Sequence, residues 1–209
     1  MAPPHIMPRA DRADWALMTA IHEALRGDLD QLLHTTASRA SARARWAVFS
    51  DHLHFHLAAE HAAMWPPVRA KLADHPPAQA LLDAMDDERQ LLGPLQAMID
   101  DAFAMNADPR LLRQLLARLR TRLASHLAHK EADVLPLISQ VLSPGELGAI
   151  AAAIRGGHST RRARATVPWA LADASPDVRE HVLSQLPAPA RLLYRMVWLP
   201  RYTRTTPPL

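Results

Sequence analysis

The sequence predicts an all-α fold: an up-down-up-down four-helix bundle with a short helical C-terminal extension. Three observations lead there. Apolar residues make up 49% of the 209-residue chain and aromatics only 5%. Ala and Leu dominate while β-branched residues are sparse, a mixture that favours helix over strand. The 18 prolines act as punctuation, with none between Pro8 and Pro66 or between Pro109 and Pro136. Apolar residues recur at helical spacing over about 10–37, 41–72, 77–105 and 109–142, with short connections between. Four such helices with short loops imply antiparallel neighbours. The bundle is expected over residues 10–156 and the extension, packed on it, over 157–209.

The buried stripe of the first helix reads Trp15, Met18, His22, Leu25, Leu29, and that of the second Trp46, Phe49, Leu53, His56, Glu60, Ala63. In the third it reads Leu81, Met85, Glu88, Leu92, Leu95, Ile99, with Gly93-Pro94 interrupting the helix. In the fourth it reads Leu112, Leu116, Leu119, Leu123, His126, Lys130. Beyond the bundle, SPGELGAIAAAI predicts a short helix capped by Ser143, with Glu146 at the capping-box position. GGHSTRRARAT reads as a linker. One more helix is expected at about 175–186, followed by an aromatic segment with Tyr194, Trp198 and Tyr202. An exposed patch around Trp169, Tyr194 and Trp198 would be unusual on a soluble protein, so the extension is expected to cover the bundle.

Composition excludes several classes of function. Without cysteine there are no disulfides, thiolate sites or iron–sulfur clusters. No apolar run reaches the length of a membrane span, and the opening MAPPHIMPRADR lacks a signal-peptide core, so a soluble, cytoplasmic protein with no membrane partner is expected. The net charge of +3 comes from Arg clusters such as Arg39, Arg43, Arg45 and Arg161, Arg162, Arg164. They read as solvated surface, and no nucleic-acid partner is expected. No phosphate-binding loop, dinucleotide fingerprint or serine or cysteine nucleophile motif is present.

All four stripes thus carry a polar intruder, and apart from Lys130 the intruders are His or Glu. An unpaired buried carboxylate costs several kcal/mol, so such a cluster calls for a cation. Nitrogen and oxygen donors without sulfur suit Fe or Mn, with Zn able to substitute. His56 and Glu60 lie about 40° apart on one helix face. The segment HLAAEHAAMWP at 56–66 returns 70 positions later as HLAHKEADVLP at 126–136. The second copy places Glu131 five residues after His126, about 140° round an ideal helix. Glu131 can join the cluster only across the seam between helices, or if the helix distorts before Pro136. Carboxylates arriving from helices of opposite sense could then bridge two metals. Lys130, a poor ligand, is expected at the rim. Asp87 replaces Glu88 if the helical phase is off by one. His52 and His129 are placed to orient ligands, while His54, His61, His75 and His158 read as surface.

These segments resemble the HHE cation-binding, or hemerythrin-like, family, over roughly residues 15–142. The resemblance implies an up-down four-helix bundle holding a non-haem di-iron centre. HEALRGDL is similar to the family's first motif and implies His22 as a ligand. HLAAE implies His56 as a ligand and Glu60 as a bridging carboxylate. The last-helix His with an acid five residues on implies His126 and Glu131 in the same two roles. The PW, QLP and LPRY words resemble C-terminal extensions of bacterial members. The family's oxygen carriers place two histidines four residues apart on the third helix. Here no His occurs between 76 and 125, and the matching positions are Ala84 and Glu88.

The expected metal set is therefore His22, His56, Glu60, Glu88, His126 and Glu131, holding two Fe ions. The function it implies is a di-iron oxidoreductase that binds and activates O2 or peroxide to oxidise a small organic molecule, acting as monomer or homodimer. The alternatives are reversible O2 binding, oxygen or iron sensing, or iron handling without turnover.

Overall fold

A computed structural model describes residues 15–36, 38–156 and 160–205 of the chain. Every regular element among them is helical, with no strand, as the composition implied. The chain divides into two compact units. One is Asp28–Arg155, and the other joins the residues up to Gly27 with those from Gly156 on. Helix α1, Ala16–His34, runs unbroken across the division at Gly27. Residues 1–14, the Gly157–Ser159 stretch with His158, and the Arg161 side chain lie outside the described residues.

Within Asp28–Arg155 the expected rods form, and proline chemistry articulates each one. The second rod is α2, Arg39–Ala63, followed after Met64 by α3, Trp65–Lys71. Ser38 caps α2 by accepting from the Ser41 N–H. Pro66 and Pro67 lack the N–H that would continue the ladder, so the rod resets at Met64. The third rod is α4, Pro76–Gln90, then α5, Leu92–Ala104, with the break at Leu91 ahead of Pro94. Asn106, at φ 53°, reverses the chain into the fourth rod. That rod is α6, Pro109–His129, a π-helical stretch Lys130–Val134, then α7, Leu135–Val141. Pro136 cannot donate, and the preceding Leu135 N–H reaches back five residues to the Lys130 carbonyl. The anticipated distortion before Pro136 is therefore a single π turn.

The core follows the predicted stripes. Trp46, Phe49, Leu53, Met85, Leu92, Ile99, Leu119 and Leu123 are buried, and Trp46 stacks on Phe103 with centroids 6.3 Å apart. The Trp46 indole N–H also donates to Asp100 at 2.6 Å. The later half of α1 is tied in through Arg45 to Asp28 at 3.2 Å and through an Arg120–Asp30 pair. Arg39 donates at 2.8 Å to the carbonyls of Ala102 and Ala107. Of the first Arg cluster only Arg43 is exposed, so two of its three members hold helices together.

Two expectations need correction. The end of the second rod packs on the end of the fourth, α3 against α7, and Glu60 meets Lys130 one or two turns earlier. The two rods therefore run in the same sense, as alternating rods of an up-down bundle must. The segment read as a linker is also largely helical: α8, Pro144–Gly156, carries the predicted Ser143–Glu146 capping box, and α9 spans Thr160–Leu171. Ala and Arg are strong helix formers, which outweighs the Gly-rich start of that stretch.

In the other unit α9 packs on a second π turn, Tyr194–Trp198, placed again just before a Leu-Pro pair. Trp169, Tyr194 and Trp198 are all buried, and burial pushes the Tyr194 hydroxyl pKa up. The expected helix appears as α10, Pro176–Ser184, capped by Ser175. Its Arg179 guanidinium donates to the Leu171, Ala172 and Ala174 carbonyls, satisfying the C-terminal end of α9.

Candidate metal centre

The ionisable side chains gathered inside Asp28–Arg155 come from α2, α4, α6 and the first π turn. On α2 the four-residue spacing puts His56 and Glu60 on one buried face, with His56 Nε2 3.2 Å from Glu60 Oε1. The other Glu60 oxygen, Oε2, accepts from the ammonium of Lys130. Lys130 is 0% exposed and its Nζ lies 5.9 Å from the Trp65 ring centroid. The expectation that Lys130 turns to the rim is thus wrong. An ammonium at that inward position finds a carboxylate and an aromatic face.

A second pairing lies beside the first. Glu88 on α4 accepts from His126 Nδ1 at 3.2 Å through Oε2, and from His129 Nδ1 at 2.8 Å through Oε1. A carboxylate can only accept, so Nδ1 of His126 carries the hydrogen and Nε2 keeps its lone pair. Burial, followed by the positive charge of Lys130, holds the His126 pKa down to about 4, against the opposing pull of Glu60 and Glu88. His126 is therefore neutral at pH 7. Its Nε2 is buried with no hydrogen-bond partner among the described residues. A neutral imidazole with one nitrogen held by a carboxylate and the other presenting a buried lone pair is the arrangement of a metal-binding histidine.

A family model described as Hemerythrin HHE cation binding domain matches residues 14–138, more than half of the chain. The chain belongs to this family. No curated protein and no solved structure matches it. Hemerythrin domains bind metal ions, typically iron, and a buried His/Glu cluster of suitable donors is present here.

Against that family pattern the predicted residues fall as follows. His56, Glu60 and His126 are buried ligand types inside Asp28–Arg155. His22 is fully buried on the earlier part of α1, which belongs to the other unit. Glu131 is half-buried on the π turn. Glu88 is half-buried and Asp87 exposed, so the helical phase that favoured Glu88 is correct. Both Glu88 oxygens are engaged by imidazoles, which makes it an orienting group in this geometry. His52 is buried, His54, His61 and His75 are exposed, and His129 is half-buried against Glu88.

What sequence reasoning missed is Lys130. The signal was there: it stands on the inward stripe, at the repeat position that Glu60 occupies in the first copy. Among the described residues no single helix is long and apolar enough to cross a membrane.

Proposed function

We propose that this hemerythrin-domain chain is a non-haem iron protein that activates O2 or peroxide and uses it to oxidise a small organic molecule. The observation that carries the metal reading is the buried lone pair on Nε2 of His126, with Nδ1 fastened to Glu88. We further propose that His56 and Glu60, buried on one face of α2, supply donors beside it, and that His22, buried on α1, is a further ligand. Glu131 adds a second carboxylate, with Glu88 orienting His126 and His129, in a set with donors for as many as two ions, Mn or Zn being able to substitute for Fe. When bound, iron supplies Lewis-acid and redox chemistry. The chain's own residues select and hold it. Neutral imidazoles and a carboxylate favour a borderline to hard divalent ion, and the leucine-rich surroundings exclude bulk water.

Turnover is favoured over reversible carriage by the third rod, where Ala84 and Glu88 stand in place of histidines. Fewer imidazoles and more carboxylate favour the higher oxidation state, so electrons given to oxygen are not readily recovered. The test is rapid-mixing absorption spectroscopy of the iron-loaded, reduced protein with O2, followed by evacuation. A stable oxidised product supports the proposal. Recovery of the reduced spectrum would sink it in favour of a carrier or sensor.

A further inference from the structure

Glu60 and Lys130 occupy the same place in the two copies of the repeat, four residues after His56 and His126 respectively. Because the second and fourth rods run in the same sense with a 70-residue offset, equivalent positions face each other. Sequence symmetry would bring two carboxylates together here, and this chain brings a carboxylate and an ammonium. Lys130 is wholly buried, bonded to Oε2 of Glu60 and within 5.9 Å of the Trp65 ring. The remaining oxygen, Oε1, is the one beside His56 Nε2 at 3.2 Å.

We propose that Lys130 is a built-in cation that takes one of the two cation places beside Glu60, so that the chain holds a single iron ion with a lysine ammonium next to it. The inference rests on the metal reading above and decides its stoichiometry. A carboxylate bridging through both oxygens offers one to each of two ions, and here one oxygen serves the ammonium. An ammonium carries three donors and no lone pair, so it cannot act as a ligand itself. A second divalent ion on Oε2 would meet the lysine charge in a dry interior, where repulsion between like charges is weakly screened.

The experiment counts ions. Wild-type protein and the variants Lys130→Met and Lys130→Gln are loaded anaerobically with Fe(II), and in parallel with Zn(II), then desalted. Bound metal per chain is measured by elemental analysis, and thermal unfolding is recorded with and without metal. One ion in the wild type and two in either variant is the expected result, with a larger metal-dependent rise in Tm for the variant. Two ions in the wild type, or one in both wild type and variants, overturns the role of Lys130 while leaving the metal site standing. No ion in any of the three removes the metal reading itself, and this inference with it. Should neither variant fold, the wild-type count decides: one supports the proposal and two overturns it.

Discussion

Glu88 holds His126 by its Nδ1 at 3.2 Å, and the same carboxylate holds His129 at 2.8 Å, so that one acid from the third rod sets two imidazoles of the fourth. This fixes the His126 tautomer and leaves its buried Nε2 with a lone pair. Loss of an orienting carboxylate of this kind lowers metal affinity roughly 10- to 100-fold. Glu88→Ala should therefore weaken binding by that factor in a competition titration with a chelator of known affinity. The exposed neighbour provides the control: Asp87→Ala should leave affinity unchanged. Equal effects from both variants would show that Glu88 acts only through general charge.

The Glu60–Lys130 pair should dominate the stability of the metal-free chain. Both residues are nearly inaccessible, at 2% and 0% exposure. Removing one partner leaves a buried charge uncompensated, which costs about 3–5 kcal/mol. Lys130→Met and Glu60→Gln singly should each lose stability in urea unfolding. The double variant should recover most of it, because no charge then remains to be buried alone. A double variant as unstable as the sum of the singles would mean that the two residues do not act as a pair.

The start of α8 offers a test of local chemistry away from the metal centre. Glu146 accepts from the Ser143 backbone N–H and hydroxyl at 2.8 Å each, and from Lys71 at 3.0 Å. The Ser143 backbone bond is the largest of the influences that hold the Glu146 pKa down to about 2, below its ordinary 4.5. A carboxyl depressed on folding contributes fully above pH 4.5, and that contribution is lost as pH falls through 2. NMR titration should accordingly find Glu146 still ionised at pH 3.5, where ordinary glutamates have taken up a proton. Ser143→Ala removes the hydroxyl bond and keeps the backbone one, so it should raise the Glu146 pKa only part of the way towards 4.5 and cost about 1 kcal/mol of helix capping.

In the C-terminal unit Tyr194 and Trp198 are 2% and 6% exposed. Trp198→Ala should destabilise that unit by about 3–5 kcal/mol, the usual cost of emptying a buried aromatic site. Limited proteolysis should then cut within α9 to the final helix, Leu199–Thr205, at protease levels that spare the wild type. Unchanged resistance would show that the aromatic side chains do not hold the unit together.

Local rules carried the sequence reading a long way. The rods, the break of the third ahead of Pro94, the distortion before Pro136 and the cap at Ser143 follow from helical periodicity, from the missing proline N–H and from Ser–Glu spacing. Each of these acts within four or five residues, so the order of residues alone determines them. The inward-facing ligand types His56, Glu60 and His126 were legible for the same reason, being intruders on apolar stripes. Tertiary structure decided which polar atoms meet. Lys130 turned inward because Glu60, 70 residues away, and Trp65 are there to receive it. Glu88 became an orienting group because two histidines 38 and 41 residues on arrive at its two oxygens. A long side chain such as lysine can reach either the surface or the core from one Cα position, and a carboxylate can serve a metal or an imidazole. The choice is made by whichever partner compensates desolvation in the packed interior, and that partner is set by the packing of distant helices.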